Sequence, residues 1–76
     1  MNSFYIKPGS LLCAKSAVIG TGENFKKCIE KGSVLLFLTR EQYAEIDDPT
    51  LFIYRYVQDN RKCCIICTEE QFFKFF

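Results

Sequence analysis

The residues best equipped for chemistry in this chain are its five cysteines. Three of them fall in the run Cys63-Cys64-Ile65-Ile66-Cys67, which contains a Cys-x-x-Cys spacing. Joined by Cys13 or Cys28, the three cysteines of the run could complete four thiolates around zinc. The intervening residues oppose this. A zinc knuckle needs a turn between its thiols, whereas Ile65 and Ile66 are β-branched and favour an extended strand. In a strand Cys64 and Cys67 point to opposite faces. Redox Cys-x-x-Cys pairs open a helix and have a depressed thiol pKa, and neither condition is suggested at this position. An odd number of cysteines also excludes a fully paired disulfide framework within one chain. The cysteines read as reduced, small apolar fillers, and no metal or cofactor is expected.

Histidine is absent, which removes the commonest general base and the commonest metal ligand together. A nucleophilic cysteine therefore lacks its usual partner. The carboxylates Glu41, Glu45, Asp47 and Asp48 sit in one short polar stretch and read as a solvated loop rather than an acid–base pair. Gly20-Thr21-Gly22 lacks the Lys and Ser/Thr that follow the glycines of a phosphate-cradling loop. The expectation is a protein without enzymatic activity.

Two surfaces are candidates for binding. Phe72-Phe73-Lys74-Phe75-Phe76 carries more rings than a small core accommodates, so Phe72 and Phe76 are expected to form an exposed apolar patch. With the loop bearing Tyr43, Glu45, Asp47 and Asp48 they make the candidate protein-binding surface. The alternative is that Phe4-Tyr5-Ile6 covers the rings. Separately, Lys26, Lys27 and Lys31 lie close to Phe25, and Arg55 and Arg61 extend the basic set if the fold gathers them. Cations beside stacking aromatics are how small barrels hold single-stranded nucleic acid. Against that, ten Lys and Arg face nine Asp and Glu, without the basic excess usual for such a protein.

These residues must be positioned by a single domain spanning 1–76. Lys7-Pro8-Gly9-Ser10 and Lys31-Gly32-Ser33 each precede an apolar run and read as tight turns delivering the chain into strands. The pattern predicts strands over Leu11–Ile19, Ser33–Arg40, Leu51–Gln58 and Lys62–Cys67, a closing strand over Phe72–Phe76, and an edge strand near Met1–Lys7. Gly20–Asn24 reads as a flexible loop, Phe25–Lys31 as undecided or a helical turn, and Glu41–Thr50 as a loop. Asp59-Asn60 is a two-residue hairpin turn, and Thr68 caps one helical turn over Thr68–Gln71. The strand beginning at Ser33 is apolar on both faces: Val34, Leu36 and Leu38 on one, Leu35 and Phe37 on the other. Such a strand is buried on both sides or covers a partner, so self-association is among the expectations. No signal peptide is visible and the longest apolar run is too short to cross a bilayer, so a cytoplasmic protein that avoids membranes is expected.

This order of elements resembles the SH3-like small barrel, all-β and five-stranded, with one short helical turn before the last strand. Leu11–Ser16 corresponds to its first strand, Gly20–Lys31 to its first long loop and Thr68–Gln71 to its turn. The peptide-binding members grip proline-rich ligands with a Trp and clustered tyrosines. This chain has no Trp, and Tyr43, Tyr54 and Tyr56 do not reproduce the motif, so that activity is not carried over. The two Gly-Ser phrases are also similar to those of short accessory proteins of tailed bacteriophages. That likeness implies a module binding one host or viral protein in the host cytoplasm. The second reading is a nucleic-acid-binding barrel.

Overall fold

The structure is a computed structural model describing residues 6–22, 25–45 and 47–76. The chain is mostly β, with strands β1 Leu11–Cys13, β2 Val18–Gly22, β3 Phe25–Ile29, β4 Val34–Gln42, β5 Leu51–Gln58 and β6 Arg61–Thr68, followed by helix α1 Glu69–Phe75. Among the described residues no helix is long and apolar enough to cross a membrane. The edge strand expected near Met1–Lys7 lies almost wholly outside the described residues.

Both Gly-Ser phrases form the turns their residues suggest. Ser10 N–H donates to the Lys7 carbonyl at 3.1 Å, and Ser33 N–H to the Glu30 carbonyl at 3.0 Å. Gly9 and Gly32 each have φ of 90°, the value a type II turn demands at its third position. The two turns then bracket the short β1–β4 pair. Gly9 N–H reaches the Phe37 carbonyl at one end, and Gly32 N–H reaches the Ala14 carbonyl at the other, both at 2.8 Å. Asp59 and Asn60, with φ of 52° and 64°, make the expected β5–β6 hairpin, whose register runs from Gln58↔Arg61 to Leu51↔Thr68.

The strand count is corrected. Among the described residues six strands pair antiparallel in the order β1-β4-β5-β6-β2-β3, rather than five closing a barrel. The expected strand Leu11–Ile19 breaks after Cys13, and the segment read as loop and helical turn is the hairpin β2–β3. Its glycines do not break it, because Gly20 is where another group must approach closely. The Tyr56 hydroxyl lies against its α-carbon, in the space a side chain would fill. Val18 and Ile29, a register pair, then bury their side chains in the core.

β4 carries a second departure from simple alternation. Its register against β5 shifts between Phe37 and Thr39, a β-bulge. Before the bulge Leu35 and Phe37 face inward while Val34 and Leu36 face out. Beyond it Arg40 pairs with Tyr54 and Gln42 with Phe52, so the inward parity changes and Arg40 turns toward the core rim.

The chain ends in a helix, not the expected closing strand. Thr68 and Gln71 form a capping box: Gln71 N–H donates to Thr68 Oγ1 and Thr68 N–H to Gln71 Oε1, both at 3.2 Å. Seven residues are too few to hold a helix in water, so packing must hold this one. Phe72 supplies it. The ring is 1% exposed and stacks on Tyr54 with centroids 4.0 Å apart and planes 9° from parallel. Helical spacing sets Phe76 one turn on, 5.0 Å from Phe72. The expected exposed patch of Phe72 and Phe76 is therefore corrected: Phe72 is core and Phe76 is half-buried against it.

Replacing Phe72 with Ala should remove about 3–5 kcal/mol, most of the stability of so small a domain, and lower the urea midpoint accordingly. Gly20→Ala should cost about 1–3 kcal/mol by forcing a methyl onto the Tyr56 hydroxyl. In a Tyr56→Phe background the same change should cost measurably less, and equal costs in a double-mutant cycle would refute that contact.

Candidate functional site

The outer face of the sheet is built by the residues that alternate with the core, and the register sets its rows. One row runs Leu11, Leu36, Val57 and Lys62 across β1, β4, β5 and β6. The next runs Thr39, Arg55, Cys64, Thr21 and Lys26, reaching β2 and β3. A third contains Glu41, Ile53 and Ile66. Ile19, paired with Cys28, lies two residues from Thr21 in the direction that Ile66 lies from Cys64.

Among the described residues, the large hydrophobics found exposed belong to this face and are aliphatic: Leu11 at 72%, Ile19 at 67%, Val34 at 58%, Ile66 at 43% and Leu36 at 36%. They divide into two blocks. One, on β1 and β4, holds Leu11, Cys13, Val34 and Leu36, with Val57 beside it. The other holds Ile53, Ile66, Ile19 and Cys28. The row carrying Arg55 and Lys26 runs between Val57 and Ile53 and on along the second block.

The expected basic set is only partly gathered. Lys26 and Arg55 share a row, three interstrand steps or roughly 14 Å apart. Arg55 also meets Glu41 at 3.5 Å, an exposed pair worth little to stability. Lys31 stands in the β3–β4 turn and Arg61 opens β6, both off that row. The Lys27 side chain lies outside the described set.

The acidic loop encloses an open cleft of about 510 Å³ lined by Tyr43, Glu45, Asp47 and Asp48, among others. Tyr43 Oη donates to Glu45 Oε2 at 2.9 Å. That bond holds the Tyr43 hydroxyl above its usual pKa. Asp48 Oδ1 accepts from Thr50 Oγ1 at 2.6 Å and Thr50 N–H at 2.9 Å, which lowers its carboxyl pKa and folds the loop on itself. Asp48 thus serves the turn as much as any ligand.

Of the cysteines, Cys63 and Cys67 fill the core as expected, and Cys64 faces the opposite side, half-buried. Cys13 and Cys28 depart from that reading, since both are exposed. Among the described residues no three Cys, Asp or Glu side chains converge as metal ligands.

Arg40 went unnoticed in the sequence. Its guanidinium lies 4.2 Å from the centre of the Phe52 ring and donates from Nη1 to Glu69 Oε1 at 3.2 Å, tying β4 to the first turn of α1. Only the bulge turns it there, and no residue pattern announces that bulge. Ile19 and Ile66 were equally invisible, because alternation alone does not say which face of a strand the core will take.

A scan against protein-family models and searches of curated proteins and of solved structures find no match to this chain.

Burial dominates the ionisation of the core. It pushes the Cys67 thiol up to about 11 from an ordinary 9.0. The Tyr54 hydroxyl rises to about 12 from 10.0, with Arg40 pulling the other way. Tyr56 is raised further, first by burial and then by the Cys63 and Cys64 thiols. All three groups are neutral in the fold and ionise more readily once unfolded. Stability should stay level up to the ordinary thiol value of 9.0 and fall as pH climbs through the raised ones. Denaturation midpoints measured against pH should show this, with Cys67→Val removing the earliest part of the decline. A level midpoint up to about 11 would contradict it.

Proposed function

We propose that this chain is a non-enzymatic protein-binding module whose partner docks on the outer face of β6, β2 and β3. The observation that carries the reading is the exposure of Ile19 and Ile66, at 67% and 43%, on strands whose alternate residues already fill the core. Aliphatic side chains left in water on the outer face of a small sheet are the raw material of an interface core. Lys26 and Arg55 alongside them supply a polar margin and steer an approaching carboxylate-bearing surface. The likeness of the Gly-Ser turn phrases to phage accessory proteins makes a host or viral protein the proposed partner. An SH3-like origin is part of the same proposal, supported by the β4-β5-β6 meander with a capped helical segment after it.

Nucleic acid is the second reading, favoured by the shared row of Lys26 and Arg55. Against it, the exposed large hydrophobics among the described residues are all aliphatic; the Phe25 side chain lies outside them.

The test is affinity capture from host lysate with and without nuclease, using wild type and the Ile19→Ser/Ile66→Ser double variant. A protein retained after nuclease by wild type, and reduced at least tenfold with the variant, is the expected result. Capture that disappears with nuclease, or that the variant leaves intact, overturns the proposed surface.

A further inference from the structure

We infer that the partner is held by strand addition: an extended, acidic segment of it pairs antiparallel with the outer edge of β3. The inference rests on the partner-binding reading above and specifies the chemistry by which that partner is recognised.

The register sets which way each backbone group points. Gln58 and Arg61 close a two-residue hairpin and so form a hydrogen-bonded pair, and such pairs recur at every second residue. Tyr56 and Cys63 are the next, which turns the Cys63 backbone to β5 and the Cys64 backbone to β2. Thr21, opposite Cys64, therefore bonds to β6, and Gly20 and Gly22 bond to Lys27 and Phe25 of β3. The N–H and C=O groups of Lys26 and Cys28 are left pointing off the sheet, on a strand that ends the strand order. Among the described residues no hydrogen bond from a turn, loop or cap reaches them. An open cleft of about 390 Å³ lined by Cys28, Glu30, Val34 and Asp59, among others, gives a further strand room to enter. The opposite edge is closed just past β1, where Lys15 N–H already donates to the Phe75 carbonyl.

The chemistry of this edge selects its occupant. Alternating donors and acceptors match another extended main chain, whereas phosphate oxygens only accept. Lys26 and Cys28 are exposed and alternate with the buried Ile29, so both side chains stand on the outer face, with Ile19 opposite Cys28. Directly opposed residues on a sheet interact. The partner residue facing Cys28 thus continues the Ile19 surface and is aliphatic, and the one facing Lys26 carries a carboxylate. In an antiparallel strand these follow in the order aliphatic, any residue, acidic. A second copy of this chain fits poorly. Lysines on an edge strand oppose its pairing with itself, and β3 carries two in succession. A register that set Lys26 against Glu30 is closed as well, because the Glu30 carbonyl already accepts Ser33 N–H in the turn.

Amide hydrogen exchange of the full chain, read residue by residue by NMR, tests this with the synthetic peptide acetyl-Thr-Thr-Val-Thr-Glu-Thr-Thr-amide as probe. In the free protein the Lys26 and Cys28 amides should exchange fast, while those of Lys27 and Ile29, bonded to β2, exchange slowly. Saturating peptide should slow Lys26 and Cys28 at least tenfold and leave the other two unchanged. N-methylation of the peptide's Val amide, which faces β3, should abolish the effect, whereas N-methylation of the Thr between Val and Glu, which faces away, should not. Exchanging the peptide's Glu for Lys should weaken binding severalfold, with the gap narrowing as salt is added. Slow exchange at Lys26 and Cys28 before peptide is added, no slowing at saturation, equal loss from the two N-methyl positions, or equal binding of the Glu and Lys peptides overturns the inference. The two readings fail separately. Lysate capture lost with Ile19→Ser/Ile66→Ser, while the peptide leaves both amides unchanged, keeps the docking face and removes the strand. Capture indifferent to that variant, with both amides slowed, removes the face and keeps the strand.

Discussion

The stack of Phe72 on Tyr54 is the contact on which the rest of this molecule depends. The sheet has an inner face that needs a cover, and the helix available among the described residues is seven residues long. Such a helix contributes almost nothing by itself. It becomes a lid because one ring, 4.0 Å from Tyr54 and nearly parallel to it, is driven into the centre of the core, with Phe37 and Phe76 tilted around it. The capping box fixes where the helix starts, and the Arg40–Glu69 pair anchors its first turn to β4. Its far end is held by Lys15 N–H donating to the Phe75 carbonyl at 2.6 Å, just past β1. The C-terminal segment thus ties β4 to the chain just past β1 across the inner face of the sheet.

Concentrating the aromatic residues inside has a consequence for the surface. With Phe37, Tyr54, Tyr56 and Phe72 filling the interior, the large apolar residues most exposed among the described ones are aliphatic and face outward. The outer face is therefore divided into two neutral blocks with cations running between Val57 and Ile53. That division allows one small sheet to present two surfaces of different chemistry: one apolar, the other edged by Lys26, Arg55 and Glu41. The β-bulge after Phe37 belongs to the same arrangement. It removes Arg40 from the outer face, where alternation would otherwise carry a charge beyond Leu36, and gives it to the helix.

Local chemistry was legible wherever a few adjacent residues settle a conformation. The Gly-Ser turns, the Asp59-Asn60 hairpin and the Thr68 cap all depend on backbone angles or hydrogen bonds spanning four residues or fewer, and each appears where the residues place it. The opposed faces of Cys64 and Cys67 follow from strand alternation in the same way. The readings that needed correction are those with a distant cause. Gly20 and Gly22 look like loop breakers until Tyr56 comes to lie against Gly20. Phe72 to Phe76 alternate plausibly as a strand, but the box formed by Thr68 and Gln71 starts a helix, and helical spacing then turns Phe72 and Phe76 to one side.

By itself the sequence determined an all-β domain with a small apolar core, the positions of its tight turns and the start of its helix. It also determined that no histidine-based chemistry is available. Those properties reside in composition and in short-range backbone preference, which act before the chain has folded. The tertiary structure alone decided the strand order, the bulge, the burial of Phe72 and the exposure of Ile19, Ile66, Leu11 and Val34. An apolar residue on a strand is equally content on either face, and only the competition of all strands and the helix for one limited interior determines which are left in water.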